Sequence, residues 1–157
     1  MQKASVVLSS RKVVAAALAR EEETGAPAAA MELPDGRIVT GKTSDLLGAS
    51  SALLLNALKT LGGIRDELHL IAPVVIDPIQ HLKVEHLGNR NPRLHTDEVL
   101  IALSICAATN PLAELAMEQL SKLRGCEVHS SVILSTVDEK TFKRLGVNLT
   151  CEPRYKG

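Results

Sequence analysis

Helical and extended patterns alternate along this chain, and the alternation limits its fold more than any single motif does. Residues 1–24 repeat apolar side chains at helical spacing, and the Asp35–Gly36 pair separates two short runs that are typical of a β-hairpin. Further helices follow, and they alternate with predicted strands at ELHLIA, VHSSVILS and VNLTC. This order predicts an α/β fold of three layers, α/β/α, with a mixed sheet of about five strands.

Residues 73–95 interrupt the alternation. This segment is polar and broken by prolines, and it is long for a connection within one domain. We therefore expect residues 73–95 to be an insertion or a site-forming loop within a single domain that spans residues 1–157.

Composition argues against several classes of function. Eighteen basic residues balance eighteen acidic ones, so the chain has no overall charge that would attract nucleic acid or an acidic membrane surface. Phe142 and Tyr155 are the only aromatic residues, which leaves almost no stacking surface for nucleobases. No apolar run has the length of a signal peptide core or a membrane span. The chain is expected to be cytoplasmic, with neither a nucleic-acid nor a membrane partner.

Metal ligands are not evident in the sequence. The chain has three widely separated cysteines, Cys106, Cys126 and Cys151. An odd number at this spacing fits neither a disulfide framework nor a tetrahedral metal site. His81, His86 and His95 lack the spacing that fixes metal ligands on one helical turn. We expect no metal and no cofactor, and we expect His69 and His129 to be structural, hydrogen-bonded histidines in or beside strands.

The segment DGRIVTGKTSD, residues 35–45, matches the Gly-x4-Gly-Lys-Thr pattern of phosphate-binding loops. The residues between the two glycines are Arg-Ile-Val-Thr, and β-branched side chains favour an extended strand over a tight phosphate-binding turn. We therefore predict the return strand of a hairpin and not a nucleotide-hydrolase loop. Thr43 or Ser44 would then cap a helix, whose free amides and Lys42 are able to hold one anion.

The segment HLGNRNPRLHTDE, residues 86–98, concentrates polar side chains beside a predicted helix start, beyond a predicted buried strand. Loops at strand ends that face helix N-termini are common ligand sites in open α/β sheets. Arg90 and Arg93 would bind a carboxylate or a phosphate, while His86 or His95 would handle a proton. The alternative is a solvated loop that forms turns and caps the next helix.

The most specific signal lies in three long segments, LPDGRIVTGKTSDLLGASSALLLNALK, VEHLGNRNPRLHTDEVLIALSICAATNPLAELA and LRGCEVHSSVILSTVDEKTFKRLGVNLTCEPRY. From about Thr24 onward, the chain resembles the C-terminal part of an uncharacterised bacterial family, domain of unknown function 1846. Members of that family are much longer, so the resemblance implies an N-terminal partner region. No established activity comes with the family, and the resemblance therefore supplies no function.

The resemblance also implies a topology similar to that of cytidine deaminases. A zinc deaminase carries His-x-Glu at the start of its second helix and Pro-Cys-x-x-Cys at the start of its third. The corresponding residues here are 43–46, Thr-Ser-Asp-Leu, and 91–96, Asn-Pro-Arg-Leu-His-Thr, so the zinc motifs are missing. The comparison further implies that residues 41–45 and 89–98 converge at one end of the sheet and line one pocket.

Two hypotheses follow. The first is a polar or anionic small-molecule site with these ligand-binding residues: Lys42, Thr43, Ser44, Asp45, Asn89, Arg90, Asn91 and Arg93. Its catalytic candidates are His86, His95 and Asp97. The second is a non-catalytic assembly or scaffold domain. Its alanine-rich and leucine-rich helices, 1–24 and 112–123, would pack against another copy or against the N-terminal region of the longer protein.

Overall fold

A computed structural model describes residues 2–44, 47–65, 70–71, 73–88, 91–132 and 134–152. Its elements are α1 (Gln2–Thr24), β1 (Ala28–Glu32), β2 (Ile38–Lys42), α2 (Ala49–Gly62), α3 (Pro73–His81), a π-helical turn (Leu82–His86), α4 (Thr96–Ala107), α5 (Pro111–Glu118), a 3-10 turn (Leu120–Leu123), β3 (Glu127–Ser130), α6 (Thr136–Leu145) and β4 (Asn148–Cys151). None of the described helices combines the length and the apolar character needed to cross a membrane.

The described strands form one mixed sheet in the order β2-β1-β3-β4. β1 is antiparallel to β2 and to β3, whereas β3 is parallel to β4. The predicted α/β class, the hairpin and the mixed sheet are thus confirmed. The strand predicted at ELHLIA falls largely on residues outside the described ranges, and its described residues, Leu70 and Ile71, form a bend.

Each face of the sheet carries its own helical layer, because successive residues of a strand face opposite sides. Ala30 of β1 packs with Val13 and Ala17 of α1. Ala29 and Met31 belong instead to the main core, which residues of α2, α4, α5 and α6 complete. Within the described part of the chain, α1 therefore covers one face of the sheet and the later helices cover the other.

Gly41 of β2 lies where α2 passes closest to the sheet. A Cβ atom at this position would stand 2.7 Å from the Leu53 Cα and 2.8 Å from the Ala49 carbonyl oxygen. A glycine is needed for this approach of two backbones. The second glycine of the phosphate-loop pattern therefore has a packing role, and residues 38–42 form the return strand that the sequence predicted.

α2 begins at Ala49, so the prediction that Thr43 or Ser44 caps it is wrong. Gly48 is its N-cap, and Leu47 before it forms an isolated parallel bridge to the chain preceding α4. That bridge joins the chain before α2 to the chain before α4, and a contact between distant segments leaves no local sequence signal. At its other end, α2 is followed by Gly63, whose φ of 68° is left-handed.

Residues 73–86 are helical, although the sequence suggested a loop. α3 contains Pro78 and runs directly into the π-helical turn. Proline inside a helix removes one backbone hydrogen bond and usually ends the helix, which is why the sequence predicted a loop here. The helix persists here because Ile76 and Ile79 pack against the main core.

Replacing Gly41 with alanine should lower the free energy of unfolding by about 2 to 3 kcal/mol, because the added Cβ would overlap backbone atoms. Gly62→Ala is the matched control, since its Cβ would meet side chains no closer than 3.4 Å, and alanine favours a helix. Urea unfolding of both variants measures the difference. Equal losses of stability would contradict the packing role of Gly41.

Candidate functional site

The loops that precede α2 and α4 lie side by side. Leu47 and Leu94 form a parallel bridge, and the Ser51 hydroxyl donates to the Leu94 carbonyl oxygen over 2.8 Å. Arg93 spans the two loops, because its Nε donates to the Ser44 carbonyl oxygen. The described parts of the two polar segments singled out in the sequence are therefore in contact.

Lys83, in the π-helical turn, anchors the loop before α4. Its ammonium group donates to the Arg93 carbonyl oxygen over 2.6 Å and to Oε1 of Glu98 over 2.8 Å. Nδ1 of His95 lies 3.4 Å from the same nitrogen. The Lys83 side chain is 3% exposed. These acceptors therefore replace the water molecules that the ammonium group loses when it is buried.

Sequence reasoning missed Lys83 because it treated residues 73–95 as a loop. In a helical reading, Lys83 continues the face formed by Ile76 and Ile79, at spacings of three and four residues. A lysine on the apolar face of a helix is the signal that would have found it, since lysines are rarely buried without a partner.

Glu98 is the counter-charge of Lys83. Its Oε1 also accepts the backbone N–H of His95 over 2.8 Å, which is one half of a capping box. Burial acts to raise the pKa of Glu98, but the hydrogen bonds from the His95 amide and the Lys83 ammonium group, with the Lys83 charge, lower this pKa overall. The carboxylate is therefore ionised at neutral pH.

The start of α4 is already occupied by carboxylates of the protein. Asp138 of α6 is buried, and its Oδ1 accepts the Thr96 backbone N–H over 3.0 Å and the Thr96 hydroxyl over 2.8 Å. Oδ1 of Asp97 accepts the Glu98 amide over 2.8 Å, and Glu98 binds the His95 amide. Together these carboxylates neutralise the positive end of the helix. His95 is the N-cap of this helix.

The start of α2 is different, because its first backbone N–H groups, those of Ala49, Ser50 and Ser51, have no acceptor among the described residues. All three residues are buried. The buried hydroxyl oxygens of Ser50 and Thr43 also have no partner in the described part of the chain. Buried polar groups are normally hydrogen-bonded, and these donors lack such partners in the described part of the chain.

The predicted ligand-binding residues differ in their contacts. Nε of Arg93 donates to the Ser44 carbonyl oxygen, and its Nη nitrogens have no acceptor among the described residues. Asn91 shapes the loop, because its Oδ1 accepts the Arg93 amide over 3.0 Å. Lys42 is exposed at the end of β2. Asp45, Asn89 and Arg90 lie outside the described ranges.

The three catalytic candidates also differ in their placement. His95 is 27% exposed and contacts both Lys83 and Glu98. His86 is exposed in the π-helical turn, where its ring centroid lies 5.6 Å from that of His81. Asp97 is exposed and caps its own helix. His95 is the candidate that shares a hydrogen-bonded cluster with the Arg93 loop.

His129 is buried in β3 and hydrogen-bonded, as the sequence predicted. Its Nδ1 lies 2.7 Å from the Thr150 hydroxyl, and its Nε2 lies 3.0 Å from Oε2 of Glu152. Cys126 and Cys151 are free thiols, and burial raises the pKa of each. No group of three metal-ligating side chains is found in the described ranges.

These observations define a mixed α/β domain in which the starts of two helices meet beside a buried lysine. Residues 9–157 match the family described as Domain of unknown function DUF1846, C-terminal, and the chain belongs to that family. The resemblance seen in the sequence is thereby confirmed.

Relatives of this chain are found in several bacteria. It is 60% identical over 156 residues to a UPF0371 protein of Corynebacterium efficiens, an alignment that covers 99% of this chain and 32% of that protein. The identity to a UPF0371 protein of Streptococcus thermophilus is 53% over 146 residues, covering 93% of this chain and 30% of that protein. The chain thus spans about a third of the length of the curated relatives it matches.

The substitution Glu98→Gln should lower the free energy of unfolding by about 3 kcal/mol, because it leaves a buried ammonium group without a counter-charge. Lys83→Met should cost less, since Glu98 is 26% exposed and keeps both water and the His95 amide. Urea unfolding at pH 7 compares the two variants. A larger loss for Lys83→Met would contradict this account.

The pH dependence provides an independent check. The pKa of Glu98 is lowered by folding, so its stabilising contribution is present above the pKa of the unfolded chain and is lost as pH falls through the folded pKa. The difference in stability between the natural chain and Glu98→Gln should therefore shrink on acidification from pH 6 toward pH 3. A constant difference would show that the charge of Glu98 is not responsible.

Proposed function

We propose that this domain acts in the cytoplasm and binds a small polar anion, such as the carboxylate or phosphate group of a metabolite, between the end of β2, the start of α2 and Arg93. The observation that carries the proposal is a set of unpartnered donors, namely the amides of residues 49–51 and the Ser50 hydroxyl at the start of α2 and the Thr43 hydroxyl after β2. An oxyanion would satisfy several of them at once.

The helix itself favours an anion at this place. α2 has 14 residues, and its dipole puts partial positive charge on the same amides that lack acceptors. No acidic residue lies in its first turn. The start of α4 already holds protein carboxylates and would repel an anion, so we place the bound group beside α2 and not at Thr96.

Arg93 would supply the charge that makes binding specific. Its Nε is held by the Ser44 carbonyl oxygen, and its own carbonyl oxygen is held by Lys83. This fixation limits the freedom of the guanidinium group and leaves the Nη donors for a bidentate contact with an oxyanion. His95, in the same hydrogen-bonded cluster, is our choice for proton transfer to a bound molecule.

We also infer a cytidine-deaminase-like topology. Two features support it: the antiparallel placement of β1 between β2 and β3, and the meeting of the starts of α2 and α4. Zinc deaminases hold their metal where two helices begin. Residues 43–46 and 91–96 carry no such ligand set, so the inferred site keeps the position but replaces the metal with an anion.

Arg93→Lys tests the proposal, since lysine keeps the charge but loses the two-pronged geometry. We expect phosphate or sulfate binding to weaken by about 1 to 3 kcal/mol. Arg37→Lys is the matched control, because Arg37 is exposed and pairs with Asp35 in the hairpin turn. Thermal-shift titration of the three proteins with each anion provides the measurement.

Ala49→Pro tests the helix amides separately. Proline is well tolerated at the first helical position, and the preceding Gly48 already has the extended backbone that it requires. The substitution removes one free N–H group and should weaken the same anions without unfolding the domain. Unchanged binding in both Arg93→Lys and Ala49→Pro would refute the anion site.

Assembly is the second candidate function, and exposed apolar side chains on two elements favour it. Ile101 and Ile105 of α4 are 60% and 61% exposed and lie one helical turn apart, and Val74 of α3 is 76% exposed. The predicted contact helix 112–123 does not supply this surface, because its leucines pack against the core. We propose that α4 packs against a second copy or against the remainder of the longer family protein.

Sedimentation velocity over a range of concentrations tests assembly. If a second copy covers α4, the chain should associate, and the double substitution Ile101→Glu with Ile105→Glu should shift it to a monomer. Val137→Glu on α6 is the control, since Val137 is also exposed. A natural chain that stays monomeric at all concentrations would exclude the second copy and leave the longer protein's other regions as the partner.

A further inference from the structure

β4 is an edge strand among the residues that the structure describes, since it pairs there with β3 alone. The backbone N–H groups of Asn148 and Glu152 each donate over 2.9 Å to carbonyl oxygens on the β3 side. Backbone groups alternate in direction along a strand, so those of Leu149 and Cys151 point away from β3. Neither of these N–H groups has an acceptor in the described ranges.

A groove of about 590 Å³ lies beside this edge. Residues 147–150 line one side, and α6 lines the other with Thr136, Glu139, Lys140 and Lys143. Lys140 and Lys143 are exposed and form no ion pair with a described carboxylate. Two ammonium groups therefore face a single carboxylate, that of Glu139, and the groove has a net positive charge.

We propose that the groove between β4 and α6 binds an extended acidic peptide segment, which joins the sheet as an additional strand beside β4. The backbone groups of Leu149 and Cys151 would form the ladder hydrogen bonds, as in other complexes in which a peptide extends a sheet. Lys140 and Lys143 would select carboxylate side chains on the face of the peptide that is turned toward α6.

The charge of the groove favours an acidic partner over a second copy of this chain. An isologous pairing would place β4 against β4 of another copy, but residues 148–151, Asn-Leu-Thr-Cys, carry no carboxylate to match the two lysines. In an acidic peptide, alternate residues face the same side, so carboxylates two residues apart would both be directed toward α6.

Short synthetic peptides test the proposal. The probe is acetyl-Val-Glu-Val-Glu-Val-amide, and its counterpart with lysine in place of glutamate is the charge control. Two further probes carry N-methyl groups on one or the other alternating set of amides, because one set alone faces β4 in a paired strand. Chemical shifts of the Leu149 and Cys151 amides in the isotope-labelled chain report binding at the edge.

The protein side of the test reverses the charge of the groove. Lys140→Glu with Lys143→Glu should weaken binding of the acidic peptide about tenfold, as expected for the loss of two exposed ion pairs. Lys12→Glu with Lys122→Glu is the matched control, since these lysines are exposed but do not line the groove. Circular dichroism of each variant verifies that it is folded.

The proposal requires that one N-methylated peptide binds as well as the parent peptide while the other does not, and that the lysine peptide binds more weakly. If both N-methylated peptides bound equally well, the contact would depend on charge alone, and the proposed strand addition would be overturned. Absence of shifts at Leu149 and Cys151 at millimolar peptide would also overturn it. If protection of these two amides from hydrogen exchange rose with protein concentration in the absence of peptide, the edge would be assigned to a second copy.

Discussion

The buried ion pair between Lys83 and Glu98 is the interaction on which the site region depends. It joins three pieces of chain: the π-helical turn, the loop that carries Arg93, and the first turn of α4. A buried ammonium group is stable when its donors are satisfied with good geometry, so the loop must keep the conformation that supplies its acceptors. The position of Arg93 beside Ser44 is therefore a consequence of where Lys83 is buried.

The two helix starts that meet at this loop differ in how their amides are satisfied. Carboxylates of Asp138, Asp97 and Glu98 occupy the start of α4, and the hydrogen bonds that Thr96 donates to Asp138 tie α4 to α6. The start of α2 has no such partners among the described residues. One helix start thus stabilises the fold, while the donors at the other are the ones to which we propose that an anion binds.

Much of the fold was predictable because its signals are local. The Asp-Gly turn identified the hairpin, and β-branched residues before Gly41 identified a strand where a phosphate loop would need a flexible turn. The helical segment 73–86 was not predicted, because Pro78 is a strong local signal against a helix, and packing of Ile76 and Ile79 on a distant core outweighed it.

By itself, the sequence determined the hairpin, the α/β class and the membership in a family, since periodicity, turn chemistry and long matching segments depend on neighbouring residues. The tertiary structure decided which polar groups meet. The burial of Lys83, the contact of Arg93 with Ser44 and the occupation of the α4 start by Asp138 join residues that are 10, 49 and 42 positions apart. Such contacts arise only when the core is packed, and so no local pattern in the sequence records them.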